Sequence, residues 1–357
     1  MFNRLAPVLY VLIVSLIFTA SVLAQPFAYV ANGKGDDVSV IDTATNMVIA
    51  TVPVGDFAFG VAITPDGTRA YVTNLNSNDV LVIDTATNMV VATIPVGDRP
   101  RGVAITPDGT RAYVVNTTSG DVSVIDTATN MVVATIPVGP VPRSVAITPD
   151  GMRAYVTNGA SGDVSVIDTA ANSVVATIPV GPLPQGVAIT PDGTRAYVTN
   201  EGSGDVSVID TAANSVVATI PVGLFPQEVA ITPDGTRAYV TNGASDDVSV
   251  IDTAANSVVA TIPVGLVPQG VAITPDGTLA YVTNGASDDV SVIDTAANSV
   301  VATILAGEEP FGVAITPIME PPPPRNVPTL SEWGLIAMAG ILGIVGMMVM
   351  RRRKASA

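Results

Sequence analysis

GVAITPDGTRAYVTNLNSNDVLVIDTATNMVVATIPVG, residues 60–97, is one full period of a pattern that fills most of the chain. Four short segments rich in Val, Ile, Thr and Tyr alternate with polar connections carrying Gly, Pro, Asn and Asp, the composition of strands and turns. GVAIT leads into Pro65-Asp66-Gly67, where proline presets φ and glycine supplies a positive φ for a tight turn. RAYVTN then runs to a polar loop, DVLVID runs to Thr-Ala-Thr-Asn, and VVATIPVG closes the unit. The segments are apolar on both faces, which suits a sheet held between neighbouring sheets, and no window carries a sustained helical period.

Tyrosine measures the period. Beyond Tyr10, the chain has Tyr29, Tyr71, Tyr113, Tyr155, Tyr197, Tyr239 and Tyr281, each 42 residues after the last. AYVTNGASDDVSVIDTAANS even recurs letter for letter at 238–257 and 280–299. Four-strand units at a period of ~40–45 residues predict an all-β fold, a seven-bladed β-propeller of four-stranded blades. Pro53, Pro95, Pro137, Pro179, Pro221 and Pro263 all fall in the fourth strand. Proline donates no ladder hydrogen bond, so the fourth strand is the outer edge and GVAIT lines the axis.

The repeats begin on a second strand (FAYVAN, 27–32) and end on a lone first strand (GVAIT, 312–316). That last copy continues as Pro317-Ile318-Met319, without the Asp-Gly turn of the others. The C-terminal inner strand is therefore expected to pair with the N-terminal strands, closing a ring that spans 25–317. An open β-solenoid is the structural rival, but it would leave both fragments as unpaired ends.

The two ends read as addresses. Residues 1–24 carry Arg4, an apolar run from Val8 to Ala20, and Val22-Leu23-Ala24 before Gln25, the pattern of a signal peptide cut after Ala24. An uncleaved anchor is the alternative. A Pro-rich linker covers 318–327, with Pro321–Pro324 as a stiff spacer. Segment 328–357 holds an uncharged stretch at 334–350, expected as a single C-terminal transmembrane helix, and the basic tail Arg351, Arg352, Arg353 and Lys354. Those cations would stay on the cytoplasmic side, leaving everything before the helix outside.

The chain has no cysteine, no histidine and a formal charge of −16. Leaving out Arg4, Glu332 and the basic tail leaves 10 basic and 30 acidic residues, about −20 for the body. Such a body repels phosphate backbones, which argues against nucleic acid as a partner. Without histidine or cysteine, Ser–His–Asp and thiol catalysis and His-ligated metals are excluded.

AYVTN recurring with PDGTR and DVSVID resembles the YVTN-type β-propeller repeat family over about residues 26–317. Ala31 in the first copy and Val115 in the third depart from the motif. The resemblance implies an exported or cell-surface protein, and the family spans binding proteins and some enzymes. The stretch Val327-Pro328-Thr329-Leu330-Ser331-Glu332-Trp333-Gly334, followed by the apolar segment and Arg351, Arg352 and Arg353, resembles the IPTL-type sorting signal. Valine stands where that family has isoleucine. The resemblance implies a Gram-negative envelope and processing by an exosortase-like peptidase, beside the signal peptidase that the N-terminal segment calls for. The C-terminal helix would hold the chain in the inner membrane until cleavage near Pro328-Thr329 delivers it to the cell surface or medium. A permanent anchor is the alternative.

In a near-perfect repeat, a unique site must come from departures. The PDGTR and DTATN or DTAAN turns fall on one face and hardly vary, whereas the loops of the other face differ from copy to copy. Just before the inner strand, at the expected mouth of the axial channel, the ring reads Phe311, Phe59, Arg101, Arg143, Gln185, Gln227 and Gln269, with Arg99 beside Arg101. Aromatic, basic and amide sectors follow one another. The basic sector is expected to take a carboxylate-bearing ligand or acidic polymer, with the phenylalanines as an apolar contact.

The periodic aspartates read as turn residues. Calcium at Asp246-Asp247 or Asp288-Asp289 lacks the D-x-D-x-D-G spacing. No catalytic residue, cofactor or metal ligand is assigned. The functional expectation is a binding or interaction scaffold for an envelope protein or polysaccharide. The alternative is an extracytoplasmic carboxylate-dependent hydrolase, lactonase- or glycosidase-like, on the variable face.

Overall fold

The computed structural model describes residues 26–318, which hold twenty-eight strands and no helix. The signal peptide, the sorting-signal residues and the apolar 334–350 segment lie outside the described residues. Blade 1 consists of β1 (Phe27–Asn32), β2 (Asp37–Asp42), β3 (Met47–Pro53) and β28 (Pro310–Ile315) in the order β28-β1-β2-β3. Blade 2 runs β4 (Ala58–Ile63), β5 (Arg69–Asn74), β6 (Asp79–Asp84) and β7 (Met89–Pro95), and five further blades repeat it. The remaining inner strands are β8 (Pro100–Ile105), β12 (Pro142–Ile147), β16 (Pro184–Ile189), β20 (Pro226–Ile231) and β24 (Pro268–Ile273). Each inner strand touches the inner strands of both neighbours, and β28 touches β24 and β4, so the ring is closed.

The seam where the termini meet repeats, without a covalent turn, the bonds that a turn makes elsewhere. Ala28, Tyr29 and Val30 pair antiparallel with Ile315, Ala314 and Val313. In blade 2 the Arg69 N–H donates to Thr64 Oγ1 (3.0 Å) and the Thr64 N–H to the Arg69 carbonyl (2.9 Å). At the junction the Phe27 N–H donates to Thr316 Oγ1 (2.8 Å) and the Thr316 N–H to the Phe27 carbonyl (2.9 Å). A covalent Asp-Gly turn is superfluous there, as the truncated last copy implied.

The core lies between blades. Seven apolar clusters each join the outward side of one blade to the facing side of the next, and one of them joins Ala28, Val30 and Ile41 to Tyr281, Val290, Val292 and Ile304. The second and third strands are buried on both faces, as their composition predicts. The outer strands are not: Val48, Ile49, Val90 and Val91 are exposed. They are apolar because valine and isoleucine suit an extended backbone, not because a neighbour covers them.

AYVTN is a set of inter-blade fasteners. The tyrosine ring is fully buried in the seam and its hydroxyl crosses it: Tyr29 donates to Asn88 Oδ1 (2.7 Å), and Tyr281 closes the circle on Asn46 Oδ1 (2.7 Å). Burial, with a nearby aspartate second, pushes both of these phenols up to about 12, so they remain neutral donors. The accepting Asn46, Asn88 and their five counterparts all sit at positive φ, which asparagine tolerates. The threonine works on the axial side. Thr73 Oγ1 accepts the Gly60 N–H (2.8 Å) and donates to the Arg101 carbonyl of blade 3 (2.6 Å). Blades 4 to 7 do the same through Thr157, Thr199, Thr241 and Thr283.

Ala31 and Val115 break this series, leaving the Phe59 and Arg143 carbonyls without the donor that other blades receive. Val115→Thr is therefore expected to stabilise the protein by about 1 kcal/mol, one buried hydrogen-bonded bridge, read as a higher urea midpoint. A lower midpoint would show that the hydroxyl finds no partners and that the fastener assignment is wrong.

Candidate functional site

Every inner strand carries a bulge at its start. Pro100 pairs with Asn116 and Val103 with Val114, so Arg101 and Gly102 together oppose Val115. The same shift occurs in all seven blades. A bulge re-aims side chains locally, and here it presents one residue per blade to the mouth of the axial channel. Those residues lie inside the strands rather than before them, because each inner strand starts two residues earlier than GVAIT suggested.

Phe59, Arg101, Arg143, Gln185, Gln227, Gln269 and Phe311 line one cavity of about 240 Å³. Arg99 is not among the lining residues. Its backbone sits at positive φ in the rim loop, and it acts on the cavity only through its charge.

The aromatic sector is a packed cluster. Phe59 stacks on Phe311 with centroids 4.7 Å apart, and Phe57 tilts against Phe311 at 5.4 Å. Gly33 makes room for it, since a Cβ there would stand 2.7 Å from the Phe311 ring. The Arg101 guanidinium lies 4.3 Å over the Phe59 ring, a cation–π contact.

The basic sector is short of partners. None of the ion pairs among the described residues includes Arg101 or Arg143. Burial, then the like charges of Arg143 and Arg99, brings Arg101 down to about 9, where it is still protonated at neutral pH. Arg143 is lowered by burial too, and its Nε is buried without a hydrogen-bond partner. The amide sector is more settled: Gln185 donates to the Glu201 carboxylate, and Gln227 to the Phe225 carbonyl (3.1 Å).

One residue deeper, the channel ring reads Gly60, Gly102, Ser144, Gly186, Glu228, Gly270 and Gly312. Six are small because this position faces the adjacent blade; a Cβ on Gly102 would lie 2.8 Å from Ser144 Cα. Glu228 is the exception. Its carboxylate folds over Gly186, in space a Cβ there would claim, and accepts the Val229 N–H (3.2 Å). Half-buried in the ring, the carboxyl is pushed up to about 7 by burial. Sequence reasoning gave no role to Glu228, to Phe57 or to the Glu201–Gln185 contact. The available cue was that repeated acids are aspartates, whereas Glu201, Glu228, Glu308 and Glu309 are all departures.

The opposite face is explained by local bonding. Asp66 accepts from the Thr64 hydroxyl (2.5 Å) and the Thr68 N–H (3.0 Å), which holds the turn. Asp84 caps its own turn and pairs with Arg69. Asp246 and Asp247 bond to different groups, the Val267 N–H and the Asn242 amide, and no cluster of three metal-ligating side chains occurs among the described residues.

A family profile described as the IPTL-CTERM motif matches residues 327–353, and one described as "Lactonase, 7-bladed beta-propeller" matches residues 176–303. The first points to an exported, surface-sorted protein; the second agrees with the observed architecture and is consistent with YVTN-type repeats. None of the curated proteins compared matches. Among solved structures, the chain resembles one titled "Kuenenia stuttgartiensis Hydrazine Synthase" at 29% identity, with a TM-score of 0.70 over 75% of this chain and 92% of that one. A functionally unknown protein from Desulfotomaculum acetoxidans matches at 20% identity, with a TM-score of 0.73 over 82% of this chain and 99% of that one. "Dihydro-heme d1 dehydrogenase NirN in complex with DHE" matches at 19%, with a TM-score of 0.61 over 81% and 74%. The last two likenesses concern fold alone.

The environment of Glu228 has a measurable consequence. Its folded value lies above its ordinary 4.5, so the native state holds a proton that the unfolded chain releases. That contribution is complete below about 4.5 and disappears as pH rises to about 7. Stability should fall over this window by on the order of 3 kcal/mol, and Glu228→Gln should flatten the fall. A wild-type slope unchanged in the variant would contradict the assignment.

Proposed function

We propose that this protein is an extracytoplasmic binding module that takes an anionic group into the variable-face mouth of its axial channel. One observation carries the reading: two guanidinium groups, Arg101 and Arg143, share a cavity and neither has a carboxylate within ion-pair distance, Glu201 attracting both only from farther away. An enclosed cation without a close counter-charge is costly, and a ligand carboxylate that accepts from both would relieve that cost. The phenylalanine cluster beside Arg101 supplies an apolar wall for the rest of the ligand. An acidic envelope polysaccharide or a carboxylate-bearing protein segment fits this chemistry.

The sorting motif supports delivery through signal peptidase, temporary inner-membrane anchoring by the 334–350 segment, and cleavage by an exosortase-like peptidase. In this scheme the rigid propeller is the cargo, and its loops on the variable face meet the partner.

A second reading, a carboxylate-dependent hydrolase, draws on the lactonase profile, whose matched segment 176–303 includes Glu201 and Glu228. A carboxyl poised at about 7 is suited to proton transfer. Lactone and glycoside turnover abolished by Glu228→Gln would favour it.

The binding reading is tested by measuring adsorption to acidic envelope glycans and envelope proteins for the wild type and the Arg101→Gln/Arg143→Gln double variant. At least a tenfold loss of affinity with unchanged circular dichroism is expected, the scale of a lost charge-assisted contact. Equal binding by the double variant would remove the basic sector from the account.

A further inference from the structure

We infer that the channel mouth is built for a zwitterionic end group, its carboxylate held by Arg101 and Arg143 and its ammonium by Glu228. The inference rests on the anionic-ligand reading above and names the second charge that such a ligand carries.

Of the residues that line the cavity, only Arg101 and Arg143 are basic and only Glu228 is acidic. They belong to different walls. In a ring of seven, β20 lies three blades from β8 and two from β12, so Glu228 faces the basic sector across the channel. No ion pair among the described residues joins the two sides. Both signs of charge are thus presented into one enclosure without an ion pair between them, the arginines being attracted only by the more distant Glu201.

The surroundings of Glu228 leave its charge unanswered from within the protein. The strands packed against β20 bring only uncharged groups to this level: Gln185 and Gly186 from β16, Gln269 and Gly270 from β24, and Thr241, which accepts the Glu228 N–H (3.0 Å). Glu201, the other nearby acid, is occupied by Gln185. Gly186 is required for the arrangement, because a Cβ there would occupy the carboxylate position. The residue and its cradle thus form a pair absent from the other blades: elsewhere this ring holds glycine or Ser144.

Size limits the class further. A cavity of about 240 Å³ is smaller than the ~300–1,000 Å³ of drug-sized sites. A small amino acid, or an amino-acid-like end group of a larger polymer, is admitted, while the rest of a polysaccharide or protein segment stays outside the mouth.

The chemistry gives opposite pH signatures for two kinds of ligand. Raising pH from 6 to 8 ionises Glu228 while both arginines stay protonated, so a bound ammonium gains a partner. A ligand bearing only a carboxylate meets new repulsion over the same interval.

The test is calorimetric titration of the full chain in detergent with glycine, 4-aminobutanoate, 6-aminohexanoate and phenylalanine, each alongside its N-acetyl and its C-terminal amide form, at pH 6 and 8. At least one free amino acid should bind about tenfold more tightly than both blocked forms, and more tightly at pH 8 than at pH 6. Glu228→Gln should equalise the free and N-acetyl forms while keeping the preference over the amide. An N-acetyl form that binds as well as the free amino acid would overturn the inference and leave the anionic site standing. An amide that binds as well would overturn the anionic site itself. No binding by any member of the panel would overturn the zwitterion assignment.

Discussion

A buried tyrosine hydroxyl that crosses from each blade to the next is the interaction on which the molecule depends. The ring of Tyr29 fills the seam with blade 2 while its hydroxyl finds the Asn88 side chain there, and the same contact recurs around the ring until Tyr281 reaches Asn46. The contact combines burial of a large aromatic, worth about 2–3 kcal/mol, with a hydrogen bond that satisfies its polar tip. Because each blade supplies tyrosine on one side and asparagine on the other, the arrangement is complete only when the last blade meets the first. Repetition at equal spacing is therefore a condition of closure. With no cysteine to staple the termini, the seam bonds at Phe27 and Thr316 take that task.

The two faces of the ring answer to different constraints. On one, Asp66, Thr68, Arg69 and Asp84 are committed to turn caps and an ion pair, so their repetition follows from folding. On the other, glycine, leucine, threonine or glutamate follows the same buried asparagine, and several of these residues set what the neighbouring channel residue can do. Gly33 admits the Phe311 stack, Gly159 lies beside the Arg143 stem, and Glu201 engages Gln185. Individuality is confined to the face where the scaffold does not need uniformity, and there the unpaired charges gather.

Much of the fold was legible in the sequence because its determinants are periodic. Tyrosine spacing gave the blade count, outer-strand prolines gave the radial order, and complementary terminal fragments gave the closure. The exposed apolar outer strands were misread, since strand preference and burial leave the same residues in a sequence. Within the site, the ring from Phe59 to Phe311 was found by aligning the copies. The bulge that aims it was not, because a bulge belongs to the pairing of two strands. Glu228 went unassigned for a related reason. Its significance lies in the glycines that flank it around the ring, and those glycines are small on account of backbones in adjacent blades, which no single repeat displays.

The central claim is that the chain's two repeat ends meet and pair. Since the protein has no cysteine, a Val30→Cys/Val313→Cys variant gives a clean reading, because the two positions are direct cross-strand partners. Mild oxidation of dilute protein followed by peptide mapping should recover a disulfide that joins the peptide containing residue 30 to the one containing residue 313 in a monomer. Two free thiols, or a bond formed only between chains, would contradict the closed ring.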